Sequence, residues 1–367
     1  MNWADTPLTR RLELRYPLIQ APMAGGATTP ELVAAVCNAG GLGSLGADYL
    51  DPEDIRTTIR HIRELTDGPF AVNLFIPESQ DEDPQCLERT QERLRSFRQA
   101  LELPVNPPLP EPFAPPYQEQ LAVVLEEQVA AFSFTFGVPR PEELEALHQQ
   151  DILTLGTATH VLEAIVLEES GVDMIVAQGM EAGGHRGTFI APQEPLLVGT
   201  LALVPLIMAQ VKSPVIAAGG IMDGRGIAAA LALGAVGAQL GTAFLRCPES
   251  GIHPLHKAAL VEGNEANTVL TRSFSGRWAR AIRNRFITDL APFEGELPGY
   301  PALNALTRDI RQEAARRGRP EFLSLWAGMG CSLAQAAPAG ELVARWVAQI
   351  RERVGNPPYW APDRPSL

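Results

Sequence analysis

Lysine is almost missing from this chain: Lys212 and Lys257 are the only two, and arginine supplies the remaining positive charge. That bias is read as codon usage, without functional content. No basic cluster offsets the net charge of −13, so neither nucleic acid nor an anionic membrane is an expected partner. Cysteine is scarce too. Cys37, Cys86, Cys247 and Cys331 are scattered without metal-ligand spacing, which suits a reduced cytoplasm. Long apolar runs are also lacking, since 196–211 is broken by Gly199, Pro205 and Gln210, and no membrane span is expected. Residues 1–15 mix polar and charged side chains without an apolar core, so no signal peptide is expected either.

What the chain does have is length, 367 residues, and an apolar fraction of 46%, enough for a large core. Short apolar runs at 17–22, 41–45, 70–75, 131–136, 152–157, 174–177, 214–218 and 238–240 read as strands. Helical patterns separate most of them, at 31–38, 52–65, 141–149, 160–169, 197–211 and 226–233. Eight strands alternating with helices predict an α/β fold, a (β/α)8 TIM barrel over residues 1–250. A doubly wound open sheet is the alternative. A proline- and charge-rich insertion, 77–118, follows the third strand and is expected to project over the active face as a lid. Beyond the barrel, 251–367 reads as a mainly helical lid that shapes the substrate pocket, with helices at 254–262, 303–317, 321–325 and 341–353.

Chemistry concentrates at the strand ends. The run Gln178-Gly179-Met180-Glu181-Ala182-Gly183-Gly184-His185 begins where the sixth strand stops. Its glycines allow φ > 0 and close approach to a flat ligand. Its imidazole is an acid or base for neutral pH, with an unperturbed pKa of about 6.5. Ala218-Gly219-Gly220-Ile221 and Gln239-Leu240-Gly241-Thr242 follow the last two strands, and their amides beside a helix N-terminus predict a phosphate cradle. Asn73, inside the apolar Ala71-Val72-Asn73-Leu74-Phe75, needs a hydrogen-bonding partner, either a neighbouring backbone group or a polar heterocycle. Two carboxamides and a phosphate cradle suggest a nucleotide-like cofactor, and flavin mononucleotide (FMN) fits. Glu181 is read as a salt-bridging or supporting residue and Arg186 as a solvated loop arginine. His253 and His256 lack acidic or cysteine partners at ligand spacing, so no metal is expected.

These motifs resemble the nitronate monooxygenases, formerly 2-nitropropane dioxygenases, of the class I bacterial type. The resemblance runs through Gln20-Ala21-Pro22-Met23, Gly40-Gly41-Leu42-Gly43-Ser44-Leu45, Asn73-Leu74-Phe75, Ser133-Phe134-Thr135-Phe136-Gly137 and Glu181-Ala182-Gly183-Gly184-His185. It implies that Asn73 and Gln178 contact the flavin ring and that Met23 lies against it. Gly183, Gly220, Gln239, Leu240, Gly241 and Thr242 would hold the ribityl phosphate, and His185 would face the substrate. The implied reaction is oxidation of alkyl nitronates by O2 to a carbonyl compound and nitrite. His185 would remove the α-proton of neutral nitroalkanes, or as imidazolium stabilise developing negative charge. Trp278 departs from the pattern, which leads one to expect a smaller residue there and an altered pocket. The alternative on the same scaffold is an FMN-dependent NAD(P)H reductase of an enoyl thioester or quinone. A cofactor-free barrel lyase or isomerase acting on a phosphorylated metabolite is a third reading. A homodimer is compatible with the chain.

Overall fold

The computed structural model describes residues 2–77, 83–190 and 196–355. Part of the expected insertion, 78–82, and the end of the expected C-terminal region, 356–367, lie outside the described residues.

All eight expected strands form. They are β1 (Leu18–Gln20), β2 (Gly43–Gly46), β3 (Phe70–Phe75), β4 (Ala131–Thr135), β5 (Leu153–Ala158) and β6 (Met174–Gln178), then, after a two-residue β7 (Gly184–His185), β8 (Val215–Ala218) and β9 (Gly237–Leu240). The sheet order is β1-β9-β8-β6-β5-β4-β3-β2, with every pair parallel. Its two ends meet. Gln20 N–H donates to Leu42 O at 2.9 Å and Leu42 N–H to Leu18 O at 2.8 Å, which brings β1 onto β2 and rules out the open sheet.

Strands buried on both faces explain the unbroken apolar runs. Ile19, Ala71, Leu155, Val176 and Ile216 fill the barrel interior, while Leu74, Phe132, Ile175 and Ala217 pack outward onto helices. Local signals set the helix ends. Helix Pro30–Ala39 starts with proline, takes a cap from Thr29 to Leu32 N–H, and ends at Gly40 with φ 96°.

The insertion contributes helix Pro84–Ala100, whose Leu87, Leu94 and Phe97 pack with Leu306, Ile310, Phe286 and Phe322 in a second apolar cluster. This helix buttresses the segment above the barrel, and the described residues of the insertion do not line the cavity described below. The chain then rejoins the barrel as helix Tyr117–Glu126, with Leu121 and Val124 in the main core.

The described part of the region after 250 is mainly helical, with one small sheet that was not expected. It holds β10 (Thr268–Thr271) and β11 (Ala279–Ile282), which form an antiparallel sheet with β7. Residues 321–325 are not a helix; only a 3-10 turn, Pro320–Phe322, forms there. The last helix, Ala339–Gly355, packs beside helices Pro30–Ala39 and Gly224–Ala232. Leu342, Val343 and Trp346 enter the main core, and the Trp346 ring sits 5.0 Å from Phe244. Its apolar face makes it part of the barrel's outer ring and not of a lid.

Candidate active site

A cavity of about 710 Å³ opens at the carboxyl ends of the barrel strands. Asn73 of β3, Gln178 of β6, Gln239 of β9 and Met23 after β1 line the barrel side. Arg308, Arg311 and Trp326 line the opposite wall, built by the region after 250.

His185 stands between the two walls. It pairs with Ala279 of β11, so a sheet edge and not a free loop fixes its backbone. Its Nε2 lies 2.8 Å from Ser275 Oγ. Trp326, Phe136, Phe75 and Tyr300 surround the imidazole at centroid distances from 5.4 to 6.2 Å. Enclosure in the protein, with a smaller contribution from the Arg277 and Arg311 cations, pushes its pKa from 6.5 down to about 3. The group is therefore a neutral base at physiological pH. This pKa of about 3 stands below the expected 6.5 and disfavours the imidazolium role; the ring cage that encloses the imidazole is built from residues far apart in the chain.

Gln178 reaches the cavity wall but is already at work. Its Nε2 donates to His185 O at 3.0 Å and its Oε1 accepts Gly187 N–H at 2.8 Å, so it clamps the histidine's backbone to β6. Asn73 Nδ2 donates to Ser133 Oγ at 2.9 Å, which is the neighbour a buried carboxamide requires. Met23 and Gly241 face one another across the wall. Gly183 packs so tightly that a Cβ there would lie 2.4 Å from Gly328 N. Thr242 Oγ1 accepts that same Gly328 N–H at 2.9 Å. Gly219 and Gly220 hold positive φ, 113° and 69°, at the end of β8. Among the described residues, the amides of Gly219, Gly220 and Gly241 meet no backbone carbonyl.

Two features of the expected cradle differ. Leu240 does not line the cavity; strand alternation turns Gln239 inward and sends Leu240 into the core between sheet and helices. The helix N-terminus after β8 is also occupied, because Asp223 accepts from Arg225 and Gly226 N–H and Gln349 Oε1 from Gly224 N–H. Loop amides alone remain for an anion.

Other expectations resolve by geometry. Glu181 accepts from Thr200 N–H at 3.0 Å and its hydroxyl at 2.9 Å, a supporting contact at the start of helix Thr200–Met208. Arg186 is not solvated: it is 2% exposed, donates to Gly179 O at 2.6 Å, and burial lowers its pKa to about 10. Trp278 does not line the cavity; among the described residues the tryptophan that does is Trp326. His256 Nε2 lies 3.0 Å from Trp326 O and His253 Nδ1 accepts Leu255 N–H. Among the described residues, no three His, Cys, Asp or Glu side chains gather in a metal-holding group. Among them, too, no helix is long and apolar enough to cross a membrane.

Reading the sequence missed Ser275, Trp326, Arg308 and Arg311, which the region after 250 brings in, and the pair that Tyr300 of that region forms with Asp48 of the loop after β2. Asp48 Oδ1 accepts Phe75 N–H at 3.0 Å, and burial raises its carboxyl from 3.8 to about 6 against the lowering effect of the Tyr300 hydrogen bond.

Residues 6–349 match the family pattern described as nitronate monooxygenase. A probable nitronate monooxygenase of Staphylococcus aureus is 43% identical over 356 residues, 95% of this chain and 98% of the relative. A nitroalkane oxidase from Streptomyces ansochromogenes superposes with a TM-score of 0.87 at 41% identity, covering 94% of this chain and 98% of that one. FabK from Thermotoga maritima superposes with a TM-score of 0.76 at 30% identity, covering 96% and 97% of the two chains.

Proposed function

This chain belongs to the nitronate monooxygenase family, whose members are oxidoreductases, and on that premise we propose that it oxidises alkyl nitronates with molecular oxygen at an FMN held in the cavity. The products would be a carbonyl compound and nitrite. One observation carries the reading: a single cavity is lined both by glycine amides that meet no backbone carbonyl among the described residues and by a neutral imidazole.

The residues present fit a flavin with one phosphate. The turns after β8 and β9 offer Gly219, Gly220 and Gly241 with no Cβ and with amides left to donate among the described residues, and Gly183 and Thr242 pack beside them on Gly328. Asn73 keeps a free amide hydrogen and its carbonyl oxygen for a polar ring, and Gln178 keeps one amide hydrogen. Met23 adds a polarizable apolar contact. When bound, the flavin supplies an electron acceptor that molecular oxygen can reoxidise.

The chain's own residues do the rest. An ionised nitronate needs no base. For a neutral nitroalkane, His185 takes the α-proton onto a ring nitrogen, since nothing protonates it beforehand. Ser275 orients the ring through Nε2, and its own hydroxyl can donate to Arg277 O at 3.4 Å. Phe75, Phe136 and Trp326 pack around the imidazole and limit its contact with solvent.

The reductase alternative finds its counterpart in the FabK likeness, but identity and TM-score are both higher for the nitroalkane oxidase. The test is direct. Purified protein should be yellow, release FMN on denaturation, and produce nitrite from ethylnitronate in air. Colourless protein, or yellow protein forming no nitrite, would overturn the reading.

A further inference from the structure

Helix Arg308–Arg316 carries three arginines and two carboxylates, with a further arginine, Arg317, at its C-cap, and the pairing among them is uneven. Asp309 is taken by Arg98 of the insertion helix, through Nη1 at 2.6 Å and Nη2 at 3.1 Å. Glu313 is taken by Arg316 and Arg317. Nothing is left for the two arginines on the cavity wall. Among the described residues, no carboxylate lies within ion-pair distance of Arg308 or Arg311.

Arg311 is the more constrained of the pair. Its Nη2 donates to Asn304 O at 2.7 Å and Asn304 Oδ1 at 2.9 Å, and its Nε donates to Thr307 O at 3.3 Å. These bonds fix the guanidinium in place without neutralising it. Its Nη1 has no acceptor among the described residues. A desolvated cation without a counter-charge is costly to keep, and an anionic ligand would remove that cost. Burial accordingly lowers its pKa, opposed by the fields of Tyr49, Asp309 and Tyr300. The same charge is felt at His185, so cation and base share one chamber.

We infer that Arg311 anchors the negative charge of the substrate, taking a planar oxyanion on Nη1 inside the cavity that also holds His185. The inference rests on the functional reading only for the identity of that anion. It assigns the enzyme a preference for the ionised nitronate over the neutral nitroalkane, because only the former presents a full charge to the guanidinium.

The probe is nitrate, a planar oxyanion that shares the shape of the nitronate group and offers no carbon to oxidise. It would be tested on the flavin-loaded protein as an inhibitor against ethylnitronate and by its effect on the melting temperature. Arg311→Gln should weaken nitrate about tenfold or more and raise the KM for ethylnitronate in parallel. Neutral nitroethane binds without a charge, so its KM should rise by no more than about threefold, while its kcat falls because proton abstraction creates the same anion beside Arg311. Arg311→Met, which keeps the aliphatic stem, serves if the glutamine variant does not fold. Unchanged nitrate affinity in the Arg311 variant, or a larger loss in Arg308→Gln, overturns the assignment. So does an equal rise in KM for nitronate and nitroalkane. If nitrate binding depends on Arg311 while the parent oxidises no nitronate, the anchor stands and the functional reading falls.

Discussion

The Tyr300 hydroxyl donates a 2.6 Å hydrogen bond to Asp48 Oδ2, joining the loop after β2 to the region beyond the barrel across 252 positions of chain. Asp48 also holds Phe75 N–H, and Phe75 and Tyr300 both flank His185. One buried carboxylate therefore secures two walls of the ring cage.

Asp48 has a folded pKa of about 6 against an ordinary 3.8, so the fold favours its protonated form. The charged form costs stability above pH 6, and that cost is relieved as pH falls from about 6 to about 4. Asp48→Asn cannot titrate. The parent should gain stability relative to this variant on going from about pH 8 to about pH 4, by up to ~3 kcal/mol. Denaturant unfolding of both proteins across that range measures it; a difference independent of pH would contradict the assignment.

His185 stays neutral down to about 3, so proton abstraction needs no deprotonation step in the ordinary range. For neutral nitroethane, kcat/KM should show no acid limb near the usual imidazole value of about 6.5. His185→Asn should abolish most of that activity while sparing turnover of preformed nitronate. A limb near that value, or full nitroalkane activity in the variant, would remove His185 from the base role.

Gly183→Ala places a Cβ 2.4 Å from Gly328 N and 2.6 Å from the Ala327 carbonyl carbon, so the backbone must move. Overpacking of this kind costs roughly 1–3 kcal/mol. The melting temperature should fall, and the flavin-to-protein ratio after purification should fall with it. Retention of both would show that the 327–328 segment is not part of the cradle.

Arg98 is 1% exposed and reaches from the insertion to Asp309 and Leu306 O. Arg98→Leu should destabilise the protein by about 2 kcal/mol, less than for a pair buried on both sides because Asp309 keeps solvent contact. It should also raise the KM for ethylnitronate, since the helix carrying Arg308 and Arg311 loses its tether. Steady-state kinetics beside thermal melts separate the two effects; an unchanged KM would confine Arg98 to stability.

Half of the site was legible because its signals are local. Apolar runs ending in glycine mark where β6, β8 and β9 stop, and His185 follows one of those ends directly. The strand residues Asn73 and Gln178 stood out as polar groups at apolar strand ends. The cage and the cations were not legible. Ser275 meets His185 across 90 positions, and Arg98 meets Asp309 across 211. No spacing rule connects such pairs. Leu240 and the helix after β8 failed for a subtler reason: a glycine motif names a turn, but alternation and capping decide which groups face the ligand.

The most direct test is anaerobic titration of the purified yellow protein, first with ethylnitronate and then, in a separate sample, with NADH. Bleaching of the flavin absorbance by ethylnitronate alone, reversed on admitting air, is the predicted result. Bleaching by NADH with no response to ethylnitronate would contradict it.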